Sequence, residues 1–186
     1  MAVEIELKAW VDDVNAIKAA LEREAVFAHD YIKNDCYWFA KNNGVLPLSG
    51  LRVRNETQTK AGSVKETVIV TYKTKETRNG IEVNYEEEFE LCAGAASFEL
   101  LLGKIGFARG YTKQKRGSLF CAGKINAELS FVEKLGFFIE LEIISQTAGE
   151  AIVKKERAAL LEFLAKLGIS EKKIEPKYYS ELLAGK

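Results

Sequence analysis

Val3-Glu4-Ile5-Glu6-Leu7-Lys8-Ala9 alternates apolar residues with charges along its whole length. Successive strand side chains point to opposite faces, so Glu4, Glu6 and Lys8 share one face while Val3, Ile5 and Leu7 share the other. The same period of two returns along the chain. Arg52 and Arg54 alternate with Leu51 and Val53, and Thr71, Lys73 and Lys75 follow suit. Glu82, Asn84, Glu86, Glu88 and Glu90 oppose Ile81, Val83, Tyr85, Phe89 and Leu91. Lys113 and Lys115 form a further pair, and Glu140 and Glu142 oppose Ile139, Leu141 and Ile143.

A sheet with one solvated face alternates in the same way. Such a sheet has no reason to sort its charges by sign, yet here some strands carry acids and others bases. Two helical segments supply a second constraint. One follows Asp13 with Val14, Ile17, Ala20 and Leu21 on one face, and the other covers residues 147–167 and stops at Gly168. Both need an apolar surface to cover. If the apolar strand faces meet them, the charged faces turn inward. The expected fold is α+β, a closed antiparallel eight-stranded β-barrel with helices packed outside and a lumen sized for one small ligand. Dry, unpaired charges in that lumen would each cost on the order of several kcal/mol, so water, metal and a polyanion are its expected contents.

The remaining segments fit this plan. Residues 31–39 read as an aromatic strand, and residues 44–50, with Pro47, as a turn. Lys60-Ala61-Gly62 and Asn79-Gly80 read as hairpin turns. A helix is expected over residues 95–105, strands over 108–115, 119–121, 124–131 and 137–144, and a closing helix over 178–183. His29 is expected at the end of the first helix. No linker or repeat divides the chain, so residues 1–186 form a single domain.

Composition narrows the chemistry. The chain has 186 residues with 27 Lys and Arg against 27 Asp and Glu, which lacks the basic excess of a nucleic-acid binder. One histidine excludes sites that need two or three imidazoles. Three widely spaced cysteines, Cys36, Cys92 and Cys121, make no CxxC pair and fit a reducing, cytoplasmic setting. No apolar run reaches the ~20 residues of a membrane helix. Gly117 to Lys124 departs from a P-loop, with five residues between its glycines and Ile125 in place of the metal-binding hydroxyl. Phosphate handling would therefore rest on side chains. Lys8, Arg52, Arg54, Lys73, Lys113 and Lys115 are the candidate phosphate-binding bases. Glu4, Glu6, Glu140 and Glu142 are the candidate ligands of Mg²⁺ or Mn²⁺.

Several motifs carry a resemblance. Glu4-Ile5-Glu6-Leu7-Lys8 is similar to the ExExK opening of CYTH domains, the triphosphate tunnel family. Asp35-Cys36-Tyr37-Trp38, Leu51-Arg52-Val53-Arg54, Thr71-Tyr72-Lys73 and residues 135–142 resemble that family's later strands in order, and residues 178–183 resemble the close of class IV adenylyl cyclases. The resemblance implies a metal-dependent enzyme binding a nucleoside or inorganic triphosphate inside a tunnel, without nucleic acid or membrane, and leaves a homodimer open. It implies a lyase that converts ATP to cyclic AMP and pyrophosphate, with inorganic or thiamine triphosphatase as the alternative and a non-catalytic polyphosphate-binding module as the next. Glu6, Lys8 and Glu140 are the implied catalytic residues. Glu88 and Glu128 are further candidate tunnel acids. Ser130 stands where the family often has an aspartate; Glu128, on the same strand face, could substitute, and this departure leaves the second metal and the catalytic step open. Arg116 leaves the register of the basic strand open.

Overall fold

The alternation read at the N-terminus becomes strand β1 (Val3–Trp10), whose apolar residues Val3, Ile5, Leu7 and Ala9 are almost wholly buried. The computed structural model describes residues 3–40, 49–78 and 81–185, without the side chains of Ser49, Lys75 and Arg78. Asp13 caps helix α1 (Val14–Glu24), accepting a 3.0 Å hydrogen bond from the Ala16 N–H. Four long strands follow: β2 (Val26–Ala40), β3 (Ser49–Lys60), β4 (Ser63–Arg78) and β5 (Ile81–Glu90). Helix α2 (Ala95–Lys104) then leads to β6 (Phe107–Ala122), β7 (Ile125–Val132) and β8 (Gly136–Ser145). Helix α3 (Glu150–Lys166) and the short α4 (Tyr179–Ala184) end the chain.

The eight strands close into an antiparallel barrel in the order β1-β5-β4-β3-β2-β6-β7-β8, with β8 pairing back to β1. The apolar faces point outward, as the two amphipathic helices require. Ile5, Leu7, Leu141 and Ile143 pack with Ile17 and Leu21 of α1 and with Val153, Leu160 and Leu164 of α3 in the main core. A smaller cluster joins Cys36, Trp38, Val53 and Val70 to Leu102 of α2. Among the described residues, no helix is long and apolar enough to cross a membrane.

Three readings change. His29 lies within β2, because the chain enters the strand directly after Ala25 caps α1. Residues 108–115 and 119–121 are parts of one strand, β6. Gly117 makes that continuity possible: a Cβ there would lie 2.2 Å from the Leu129 carbonyl oxygen and 2.7 Å from the Ser130 Cα. The glycine that suggests a phosphate loop therefore serves to bring β7 close. The third helix starts at Glu150 rather than 147. The expected turn at 44–50 lies outside the described residues except for its last two, which begin β3, and the Asn79-Gly80 turn also lies outside them. Gly117→Ala is expected to destabilise the protein by about 2–3 kcal/mol through overpacking, seen as a lower urea midpoint at unchanged slope.

Candidate functional site

Alternate residues of all eight strands wall a cavity of about 600 Å³ inside the barrel, to which Tyr178, just before α4, and residues 179–181 and Ala184 of α4 also contribute. Glu4, Glu6, Arg52, Arg54, Lys73, Glu88, Lys113, Lys115, Glu128, Glu140 and Glu142 all line it. Lys8 is almost completely buried and pairs with Glu82, itself a wall residue. The basic strand has a single register: Lys113 and Lys115 are buried, while Gln114 and Arg116 face outward and Arg116 lies over the Phe131 ring at 4.5 Å.

Each tunnel cation is met by acids. Lys73 Nζ is 3.1 Å from Glu4, 3.9 Å from Glu6 and 2.5 Å from Glu86. Lys115 pairs with Glu128 and, at 2.6 Å, with Glu140, and Lys33 reaches Glu128 at 2.5 Å. Arg54 donates both arms of its fork to Asp35, Nε at 2.7 Å and Nη2 at 3.0 Å, and Lys113 approaches the same carboxylate at 3.3 Å. Arg52 donates to Thr71 Oγ1 at 2.8 Å and lies 3.5 Å from Glu88. Tyrosine hydroxyls complete the mesh, Tyr179 donating to Glu140 at 2.8 Å and Tyr31 to Glu128 at 3.0 Å.

This mesh separates the carboxyls into two kinds. Burial favours the neutral acid at all of them. At Glu140 and Glu86 the neighbouring lysines outweigh burial, Lys115 for the first and Lys73 for the second, and each is held at about 2. Arg54 and Lys113 likewise hold Asp35 well below the ordinary carboxylate range despite its burial. Glu4 and Glu6 behave oppositely. Burial pushes Glu4 up to about 7 and Glu6 up to about 8, with neighbouring glutamates adding to the rise and Lys73 opposing it. Glu142 is raised as well, mainly by burial. The barrel thus has an acid-rich side around Glu4, Glu6 and Glu142 and a cation-rich side around Arg54, Lys113 and Lys115.

Several residues of the mesh lie outside the sequence-based set. Lys33 and Glu56 line the cavity, Glu56 continuing the Arg52–Arg54 face of β3, and Asp35, two residues from Lys33 on β2, is buried against Arg54 and Lys113. On β5 it is Glu82 and Glu86 that meet the cations, while Glu88 stands at the rim with a side chain 46% exposed. Asn126 of β7 donates to Glu142 at 3.0 Å, and Asn84 of β5 to Glu6 at 3.3 Å. The period-two signal is plain for Glu82, Asn84 and Asn126, which alternate with apolar residues, but not for Lys33 and Asp35, which flank Asn34; what the sequence lacks is the register that decides how deep each one lies. Ser130 is buried with its hydroxyl unpaired, and Glu128, on the same face, is bound by two lysines.

The donor chemistry suits a hard divalent cation. Glu4, Glu6 and Glu142 offer oxygen ligands whose proton affinity burial and neighbouring carboxyls raise, so that a cation arriving there takes the place of protons, and the buried Asn84 Oδ1 has no hydrogen-bond partner. Among the described residues no three acidic side chains converge as a ready-made cage. Mg²⁺ characteristically takes one or two carboxylates and completes its shell with water and phosphate oxygens, which such a wall can supply.

The architecture defines a charged, closed barrel of one family. The chain belongs to the CYTH domain family, whose model matches residues 2–179. It is similar to a Methanocaldococcus jannaschii protein named as a candidate adenylate cyclase, at 27% identity over 97% of this chain and 98% of that one. Among solved structures, the PH1012 protein of Pyrococcus horikoshii is 26% identical, with 96% of this chain and 98% of that chain covered and a TM-score of 0.74. The Hippeastrum protein HpAC1, described as having a dominant triphosphatase activity, shares the fold at a TM-score of 0.68 and 16% identity, with coverage of 100% and 97%.

Proposed function

We propose that this chain is a metal-dependent enzyme that holds ATP by its triphosphate inside the barrel and converts it to cyclic AMP and pyrophosphate. The observation that carries this reading is the convergence of cations from β1, β2, β3, β4 and β6 around one cavity, each already neutralised by an acid. Such a mesh is set to exchange internal carboxylates for phosphate oxygens. Arg52 and Arg54 offer planar forks to the chain of phosphates, and Lys8, Lys73, Lys113 and Lys115 supply point charges. Glu4, Glu6, Glu140 and Glu142 would hold Mg²⁺ or Mn²⁺, which when bound polarises phosphoryl oxygens. In the reaction the ribose 3′-oxygen bonds to the α-phosphorus, the bond to the pyrophosphate oxygen breaks, and the hydroxyl proton is released. The wall's own contribution is to hold the ribose against the α-phosphorus and to keep competing water away. The full-length similarity to the M. jannaschii protein supports the cyclase over other triphosphate chemistries. A cytoplasmic setting, where ATP and Mg²⁺ are abundant, accords with this reading.

The second reading is hydrolysis of a terminal phosphoryl bond, favoured by the triphosphatase activity described for HpAC1. Phosphorus NMR of the products from ATP and from inorganic triphosphate, with Mg²⁺ or Mn²⁺, separates the two. The cyclase yields pyrophosphate and cyclic AMP from ATP. Orthophosphate, chiefly from inorganic triphosphate, would replace the cyclase with the hydrolase, and binding without turnover would leave a polyphosphate-binding module.

A further inference from the structure

The triphosphate reading gives no task to three rings on the cavity wall, Tyr37 and Phe39 of β2 and Tyr111 of β6. They form a nearly parallel series. Tyr37 and Tyr111 stack with centroids 4.3 Å apart at 15°, and Phe39 follows Tyr111 at 6.2 Å and 27°. All three are half-buried, whereas their neighbours Cys36 and Trp38 turn outward into the core beneath α2.

Two features of the backbone put the rings there. The Phe39 ring approaches both Gly50 of β3 and Gly110 of β6: a Cβ at Gly50 would fall 2.8 Å from the ring, and one at Gly110 2.4 Å from it. These glycines supply room rather than an unusual backbone turn. The β2–β6 ladder also slips at this point. Cys36 pairs with Thr112 but Trp38 with Arg109, so Gly110 and Tyr111 together oppose Tyr37. A bulge of this kind re-aims side chains, and bulges recur beside active sites.

The rings adjoin the phosphate-facing cations. Tyr37 pairs across with Arg52, and Tyr111 precedes Lys113 by two residues on the same strand. Two residues of a strand span about 7 Å. A planar group esterified to a triphosphate seated on Arg52 and Lys113 would therefore meet the rings.

We propose that Tyr37, Phe39 and Tyr111 form a stacking wall that selects triphosphates bearing an aromatic heterocycle, as in a nucleoside triphosphate, over inorganic triphosphate. This inference rests on the triphosphate seat proposed above. Stacking of one base on an aromatic side chain contributes enough that its loss weakens binding about tenfold.

The test is calorimetric titration of the full chain, in Mg²⁺, with ATP whose α,β- and β,γ-bridging oxygens are both replaced by methylene, so that neither cyclisation nor hydrolysis proceeds, and with tripolyphosphate bridged by methylene at both positions. Phe39→Leu and, as an independent variant, Tyr111→Leu are expected to weaken the ATP analogue about tenfold and leave the tripolyphosphate analogue within about twofold. Tyr111→Phe, which keeps the ring, is expected to bind both as the parent does. Equal binding of the two ligands by the parent protein, or equal loss of both in the leucine variants, overturns the stacking wall and leaves the triphosphate seat standing. A parent protein that binds neither analogue removes the seat and the wall together.

Discussion

Asp35→Asn is expected to cost the protein about 3–5 kcal/mol at pH 7, although the substitution barely changes the side chain's shape. The Asp35 carboxylate is completely buried and answers two cations, the Arg54 fork and Lys113. Those cations are themselves mostly out of water, with side chains 12% and 7% exposed. An amide leaves both charges without their counter-ion, which is why the loss exceeds that of a surface pair. The pH dependence identifies the cause. Asp35 has a folded pKa held well below its unfolded value of 3.8. Its contribution is therefore present above about pH 4 and is lost as pH falls through the folded value. Glu86 and Glu140, held at about 2 against an ordinary 4.5, add to the same acid loss in the parent protein. Urea denaturation should show the variant well below the parent at pH 7, with the gap narrowing as pH falls toward 2. A gap that stays constant across that range would mean that packing, not charge, is what asparagine disturbs.

That prediction concerns a residue whose importance sequence reading understated, and the reason is geometric. The faces of β1 and β8 were readable because strict alternation separates Glu4, Glu6, Lys8, Glu140 and Glu142 from uninterrupted apolar partners. Barrel closure followed from the need of α1 and α3 for those apolar faces, and the main core bears that out. Strand β2 was harder. Its pattern is crowded with aromatics, its register slips at Phe27/His29 and again at Cys36/Trp38, and Lys33 and Asp35 stand out only once β3 and β6 are laid beside them. Strand β5 shows the complementary limit. Its glutamates alternate evenly, but burial falls steadily from Glu82 toward Glu90 as the strand leaves the lumen, so periodicity alone does not separate the inner acids from the rim. Gly117 was legible as an exception but not in meaning, because the close approach of Leu129 and Ser130 is a property of the paired strands.

Lys73→Met is expected to lower the melting temperature of the metal-free protein at pH 8.5 by about 10 °C, and to do much less near pH 5.5. Lys73 is the cation shared by Glu4, Glu6 and Glu86, and methionine keeps most of its bulk while removing the charge. Burial already raises Glu4 to about 7 and Glu6 to about 8 with the lysine in place. A carboxyl whose folded pKa exceeds its unfolded value of 4.5 stabilises the fold fully below that value and loses the contribution as pH climbs through the folded one. The metal-free parent should thus weaken as pH rises through about 7 and 8. The variant should weaken more steeply, because the charge that opposed the rise is gone and Glu86 loses the lysine that held it at about 2. A divalent cation at these carboxylates replaces the missing positive charge, so millimolar Mg²⁺ should restore most of the loss at pH 8.5 and little at pH 5.5, where protons occupy the same oxygens. Scanning calorimetry with chelator or Mg²⁺ at the two pH values reads all four conditions. A deficit that is equal at both pH values and indifferent to Mg²⁺ would show that the carboxylates around Lys73 neither titrate as a group nor hold a metal, and the metal-dependent reading of the tunnel would fall with them.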